Sequence, residues 1–316
     1  MQDKIRQLLS AIKSGDYRSI ARGITIVENE LPGHSELLKG LEGNGMANVI
    51  GITGPPGAGK SSLVNALLGH WTKQGKTVAV LAVDPSSPFN YGAILGDRIR
   101  MSEFYNNPGV YIRSLASRGT LGGLNAKIIE ITDVLKQAPF DFIIVETVGV
   151  GQSEVEIAGL ADCTVVALVP EAGDEVQTLK AGIMEIADVF VLNKADREAA
   201  ETLFRHLKAL MHQKAGNGRE IPVLKTVATT KQGVEELAGQ IEIFLKEFAT
   251  LKEKRLYLLT EKSWQLIQMQ RMQTFSRTGL RKELERALRS EAGFNLYQFI
   301  SDYLVAHLNQ GALNKD

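Results

Sequence analysis

Eight consecutive residues, Gly54-Pro55-Pro56-Gly57-Ala58-Gly59-Lys60-Ser61, match G-x-x-x-x-G-K-[ST] at every fixed position. The pattern describes a turn whose backbone N–H groups converge on phosphate oxygens, and glycines at 54, 57 and 59 allow that bend. Lys60 would place a point charge near the outer phosphates, and Ser61 would offer a hydroxyl to Mg²⁺. A helix starting there would add the positive end of its dipole.

A second cluster, Asn193-Lys194-Ala195-Asp196, follows the apolar run Val189-Phe190-Val191-Leu192. The carboxylate of Asp196 can accept from guanine N1–H and N2–H₂ together, a donor pair that adenine lacks. Hydrogen bonds to charged groups contribute about 1.5–3 kcal/mol each. Two of them give at least roughly hundredfold discrimination. Asn193 can support the loop and the base edge, and the Lys194 stem can cover the ring face. The implied ligand is GTP, with GDP as product.

Three carboxylates are candidates for the metal. Asp84 ends the apolar run Val80-Leu81-Ala82-Val83, and Asp97 lies in Gly96-Asp97-Arg98 on a long loop. Glu146 ends another run, in Glu146-Thr147-Val148-Gly149. Many GTPases carry Asp-x-x-Gly there, the acid holding a metal-bound water and the Gly amide sensing γ-phosphate. Here the carboxylate reaches one methylene further. With Ser61, these acids make a hard-oxygen set suited to Mg²⁺. Val150 stands where Ras-like GTPases place a water-orienting glutamine, and Gln152 is the nearest alternative. Lys60, Glu146 and Gln152 are therefore the catalytic candidates, and slow intrinsic hydrolysis is expected.

These residues need a scaffold that brings strand ends together. Apolar runs at Ala47–Ile52, Thr77–Val83, Val110–Ser114, Phe142–Val145, Thr164–Val169, Val189–Leu192 and Val223–Val227 read as strands. Most are continuously apolar, as parallel strands covered on both faces are. The intervening segments are long enough for crossover helices, Ser61–Trp71 among them. The fold class is α/β: a doubly wound, mostly parallel sheet over residues 47–250, with ligands at the carboxyl ends of the strands.

Helical segments flank it. In residues 1–46, Ile5, Leu8, Leu9 and Ile12 mark one apolar stripe and Ile20, Ile24, Val27 and Leu31 another. Ser14-Gly15-Asp16 separates them, and Leu31-Pro32-Gly33 ends the second. Ile241, Phe244, Leu245, Phe248 and Leu251 mark a third stripe. In residues 251–316, Leu296, Phe299, Ile300, Tyr303, Leu304, His307 and Leu308 mark a fourth. Residues 251–290 hold ten Lys/Arg against four Asp/Glu, read as solvated helix faces.

The 316 residues carry 36 basic and 36 acidic side chains, so net charge favours neither DNA, RNA nor a membrane surface. The single cysteine, Cys163, lies in an apolar run and excludes an intrachain disulfide. No run reaches the roughly 18 apolar residues of a membrane span, and the charged amino terminus lacks a signal region. A cytoplasmic protein is expected.

The ordered set of phosphate loop, Val83-Asp84-Pro-Ser-Ser87, Leu95-Gly96-Asp97-Arg98-Ile-Arg-Met101, Glu146-Thr-Val-Gly-Val-Gly-Gln-Ser-Glu154 and Asn193-Lys-Ala-Asp196 resembles the methylmalonyl-CoA mutase-associated GTPases. These are also called MeaB, ArgK or LAO/AO transport system kinases, and the human cobalamin type A protein belongs with them. The resemblance covers nearly the whole chain. It implies a P-loop GTPase with a SIMIBI-type G domain and helical N- and C-terminal extensions, the latter forming a homodimer. It implies a chaperone that gates cofactor loading of an adenosylcobalamin-dependent mutase and protects it from inactivation. Carried over, Gly54, Pro55, Pro56, Gly57, Ala58, Gly59, Lys60, Ser61 and Ser62 hold phosphates and Mg²⁺. Asp84, Asp97 and Glu146 serve the metal, and Gly149 senses γ-phosphate. Asn193, Lys194, Asp196, Val227, Ala228 and Thr229 surround guanine, and Glu171 to Lys180 form a loop responsive to the mutase. Two stretches depart from the family pattern. Phe89-Asn90-Tyr91-Gly92 replaces a Thr-Gly-Gly run, and Val227-Ala228-Thr229 replaces Ser-Ala-x, where the Ala228 N–H is still expected to face guanine O6.

Two other classes compete. One is a kinase acting on periplasmic amino-acid (lysine/arginine/ornithine) transport, as the older family label says. The other is a nickel-inserting chaperone, but the histidines (His34, His70, His206, His212, His307) are scattered and the cysteine is single. His206 and His212, six apart on one expected helix, do not share a face, and His307 reads as a core or interface residue.

Overall fold

A computed structural model describes residues 2–42, 47–84, 101–116, 124–125, 127–149, 157–170, 183–215, 220–248, 252–272, 275–289 and 294–308. The chain divides into two compact units, residues 1–255 and 256–316.

In the first unit the apolar runs become β1 (Asn48–Thr53), β2 (Val78–Asp84), β3 (Val110–Ala116), β4 (Phe142–Glu146), β5 (Cys163–Leu168), β6 (Val189–Asn193) and β7 (Val223–Thr226). Each expected strand forms, with ends shifted by a residue or two. They join in one sheet, ordered β3-β2-β4-β1-β5-β6-β7. Every pairing is parallel. β4, β5 and β6 are buried along their whole length, which explains why they lack apolar–polar alternation. Cys163 is buried in β5. The winding reverses at β1, so whatever follows β1 opens at a switch point, where α/β sheets bind ligands.

The amino-terminal helices are α1 (Gln2–Lys13), α2 (Tyr17–Glu28) and α3 (His34–Lys39). Ile5, Leu8, Leu9 and Ile12 are buried on α1, as their spacing requires. Asp16 caps α2, accepting from Ser19 N at 2.9 Å. α2 ends at Glu28, so Leu31 does not extend its stripe and stays 41% exposed, while Ile26 is buried instead. Beyond Leu31-Pro32-Gly33, α3 adds a further turn and a half, with Leu37 as its buried anchor.

After β1 comes α4 (Lys60–Lys73). The Trp71 indole N–H donates to Glu242 Oε1 at 2.8 Å, and its ring lies 4.6 Å from that of Phe142. α5 (Ile128–Leu135) follows β3; its Val134 lies near Gly23 of α2, so the amino-terminal helices pack on the sheet's helical layer. A short helix, α6 (Ile183–Ile186), precedes β6. α7 (Ala200–Ala215) and α8 (Val234–Phe248) complete the layers. Ile241, Phe244 and Leu245 of α8 are buried as expected; Leu251 lies outside the described residues.

The remaining helices are α9 (Lys252–Met272), α10 (Arg277–Leu288) and α11 (Leu296–Leu308). Within the second unit, Tyr303 is buried, but Ile300 and Leu304 of the same stripe are 43% and 39% exposed. His307 stacks on Tyr303 with ring centroids 4.0 Å apart and donates from Nδ1 to the Tyr303 carbonyl at 2.9 Å. Among the described residues no His/Cys/Asp/Glu group is arranged to hold a metal by itself, and both His206 and His212 are exposed on α7.

Candidate active site

The chain leaves β1 through residues 54–59 and enters α4 at Lys60. Gly59 caps that helix with φ 80°. A side chain there would be strained, and its Cβ would fall 2.5 Å from Asn193 Nδ2. The Lys60 ammonium is buried and donates to the carbonyls of Gly54 at 2.8 Å and Pro55 at 3.1 Å. Gly149, with φ 83°, crosses directly over this loop: a Cβ on it would collide with Lys60 Nζ and the Gly54 carbonyl. The exit of β4 therefore lies against the glycine-rich loop.

Ser61 Oγ donates to Glu146 Oε1 at 2.8 Å, and both residues are buried. Glu146 is the register partner of Ile52 in β1 and Ala82 in β2. Asp84 closes β2 two residues beyond Ala82. The added methylene of Glu146, relative to aspartate, lets its carboxylate span from β4 to the head of α4. A hydroxyl and a carboxylate converging in this way are hard donors of the kind Mg²⁺ takes. Asp97, Gln152, Phe89 to Gly92 and Glu171 to Lys180 lie outside the described residues.

Asn193, buried at the end of β6, joins the two halves of the site. Its Nδ2 donates to the Ala58 carbonyl at 2.9 Å. Its Oδ1 accepts from Thr226 Oγ1 at 3.2 Å and from Ala228 N at 3.2 Å. In this structure the Ala228 N–H is thus directed at Asn193 Oδ1. Lys194 takes a left-handed φ of 56°, and its Cε lies 3.9 Å from the position of a Gly59 Cβ, so its stem flanks the end of the phosphate loop. Asp196 is exposed, free of the core and able to face a base. Residues 227–232 close into a tight loop, with Val227 N donating to the Gln232 carbonyl at 3.0 Å; Val227 is buried and Thr229 exposed.

Three threonines support the site without belonging to any residue set that the motifs mark for binding. Thr53 and Thr147 share a buried hydroxyl contact at 2.9 Å, locking the end of β1 to the residue after Glu146. Thr226 orients Asn193. Threonines immediately before Gly54, after Glu146 and before Val227 were the available signal.

A G-x-x-x-x-G-K-S loop at the reversal point of an all-parallel sheet, fastened by one asparagine to the loop after β7, defines a P-loop GTPase. The model of the family described as Methylmalonyl Co-A mutase-associated GTPase MeaB matches residues 20–279, and the chain belongs to that family. A Pyrococcus abyssi protein named as a GTPase is 47% identical over 259 residues, 79% of this chain and 80% of that protein. The mitochondrial methylmalonic aciduria type A homolog of Caenorhabditis elegans is 32% identical over 314 residues, 90% of this chain and 79% of the other. The crystal structure of a LAO/AO transport system kinase superposes with a TM-score of 0.66 at 25% identity, covering 100% of this chain and 95% of that one. The protein is a GTPase that hydrolyses GTP to GDP and phosphate.

Proposed function

We propose that this GTPase is a chaperone for an adenosylcobalamin-dependent mutase of the methylmalonyl-CoA mutase type, gating cofactor loading and protecting the mutase from inactivation. The observation that carries the reading is the family match over residues 20–279, since the family is named for its association with that mutase.

In this reading Gly54 to Ser62 cradle the phosphates, with Lys60 turning from the loop carbonyls toward the outer ones. Ser61, Asp84, Asp97 and Glu146 would hold Mg²⁺, which when bound neutralises charge between the β- and γ-phosphates. Gly149, lying on the loop, couples the presence of γ-phosphate to residues 150–156. Valine at 150 cannot orient water, so Gln152 or a group supplied by the mutase does so, and intrinsic hydrolysis is slow. Asp196 selects guanine, with Asn193, Lys194, Val227, Ala228 and Thr229 shaping its pocket. Residues 171–180 answer to the mutase.

The exposed apolar side chains of the second unit support a homodimer through the carboxyl-terminal helices: Trp264 and Ile267 on α9, and Ile300, Leu304 and Val305 on α11. No described helix is long and apolar enough to cross a membrane. Zero formal charge supports a protein without DNA or RNA partners, and the single cysteine fits a reducing compartment such as the cytoplasm.

The kinase-named structural relative favours a second reading, phosphoryl transfer to a periplasmic amino-acid-binding protein. One experiment separates the two. The protein, loaded with GDP or a non-hydrolysable GTP analogue, is mixed with an adenosylcobalamin-dependent mutase and passed over a sizing column. Nucleotide-dependent co-elution supports the chaperone; no complex in either state, with labelled phosphate passing to a basic-amino-acid-binding protein, supports the kinase.

A further inference from the structure

The amino-terminal helices are fastened to the nucleotide rim of the sheet by a continuous set of bonds. β3 ends at Ala116, the register partner of Asp84. The Ala116 carbonyl accepts from Asn125 Nδ2 at 2.8 Å, and Asn125 Oδ1 accepts from Lys127 N at 2.8 Å. Asn125 is only 4% exposed. Lys127, just ahead of α5, donates to Glu30 Oε1 at 2.7 Å and to Glu130 Oε1 at 3.3 Å. Two residues before Glu30, Glu28 of α2 pairs with Arg113 of β3 at 2.8 Å. The opposite end of α2 is held differently: the Tyr17 hydroxyl donates to the Pro108 carbonyl at 2.7 Å, and the ring packs edge-on against Tyr111.

Glu30 also closes the carboxyl end of α2. Its φ is 48°, a left-handed conformation that costs a side-chain-bearing residue energy. Backbone bonds of the helix cap hold Glu30 there, Glu30 N donating to the Val27 carbonyl at 3.3 Å and Leu31 N to the Ile26 carbonyl at 2.9 Å, and the ion pair to Lys127 tethers that cap. The next residues, Leu31 and Pro32, form one wall of an open groove of about 450 Å³ whose other wall is Ala21, Arg22, Thr25 and Ile26 of α2.

We propose that Asn125 and Lys127 are positioning residues that pass the state of the nucleotide site, from the end of β2, to α2 and the turn at Glu30. The proposal rests on Asp84 serving a bound nucleotide. A shift at Asp84 moves Ala116 through strand pairing. Asn125, buried and doubly bonded, turns that into movement of the Lys127 backbone, and the Lys127 ammonium carries it to Glu30. Packed links pass small displacements on instead of absorbing them. The capped end of α2 supplies the responding element: once Lys127 withdraws, the tether on the cap is lost and the groove beside it changes shape.

The test is hydrogen exchange on the full chain, without nucleotide, with GDP and with a GTP analogue plus Mg²⁺. A fluorescent guanine nucleotide monitors occupancy in parallel. In the wild type, exchange in residues 26–33 should differ between GDP and analogue by roughly fivefold or more. Lys127→Met and Glu30→Gln should each abolish that difference while nucleotide affinity stays within about threefold, since neither side chain belongs to the pocket. Asn125→Asp, which keeps the acceptor and the volume but loses the donor to Ala116, should do the same and guards against a misfolded Asn125→Ala. A nucleotide that binds yet leaves residues 26–33 unchanged overturns the link alone. Variants that respond like the wild type overturn it too. No binding of any guanine nucleotide overturns the GTP reading, and the link with it.

Discussion

Asn193 Nδ2 donates to the Ala58 carbonyl across 2.9 Å, joining residues 135 positions apart in the chain. Through this one amide the glycine-rich loop after β1 is tied to the ends of β6 and β7. Asn193→Ala would leave the Ala58 carbonyl, Thr226 Oγ1 and Ala228 N without their shared partner. Unsatisfied buried polar groups cost about 1–3 kcal/mol each. Guanine nucleotide affinity should fall by at least about tenfold, accompanied by a lower melting temperature. Titration calorimetry and thermal melting check both. An unchanged affinity would falsify the bracing role.

Asp196 is exposed and makes no such brace, so its removal should act on the ligand alone. Asp196→Asn should lower GTP affinity by about hundredfold and raise affinity for xanthosine triphosphate, with the melting temperature unmoved. Equal GTP binding by the variant would show that another group reads the base.

Glu146→Gln keeps the volume and an acceptor for Ser61 but removes the charge offered to a metal. Mg²⁺-dependent GTP hydrolysis should drop by roughly 10–100-fold, with GDP affinity in EDTA unaltered. Ser61→Ala should lose Mg²⁺ dependence in the same assay. If both variants hydrolyse GTP at wild-type rates, the metal is held elsewhere.

Asp141 fastens the start of β2, accepting from Thr77 N at 2.8 Å and Thr77 Oγ1 at 3.1 Å. Burial pushes its carboxyl up, but the Thr77 N–H and hydroxyl and the nearby Lys76 ammonium outweigh it and hold the group below its ordinary value. A depressed folded-state value means stability present above the unfolded value, near 3.9, and lost as pH falls through the folded one. Asp141→Asn should lower the melting temperature by about 2–4 °C at pH 7, a modest effect because the side chain is partly solvated. That gap should begin to narrow as pH falls below about 3.9 and close only below the folded-state value. A gap independent of pH would assign the loss to packing.

Ile300 and Leu304 lie one turn apart on α11 and are well exposed. Replacing both with glutamate should convert the proposed dimer to a monomer in light scattering, while GTP binding persists. Dimers that survive the double substitution would place the interface on another surface.

The motifs and the strands were legible from the sequence because both are local properties. Gly54 to Ser61 specify a turn through the dihedral freedom of their glycines, and seven apolar runs specify buried parallel strands through the absence of alternation. Asp196 suggests guanine by charge and position alone, and the structure leaves it exposed at the end of β6. What the sequence could not hold is which segments meet. That Ser61 bonds Glu146, that Thr53 meets Thr147, and that Ala228 points its N–H at Asn193 follow from strand order and register, which bring residues from 33 to 135 positions apart within hydrogen-bond reach. Helical periodicity likewise foretold the stripes on α1 and α11 but not their fates. Ile12 is covered and Leu304 is not, because periodicity describes one helix, and burial depends on what the rest of the chain brings against it.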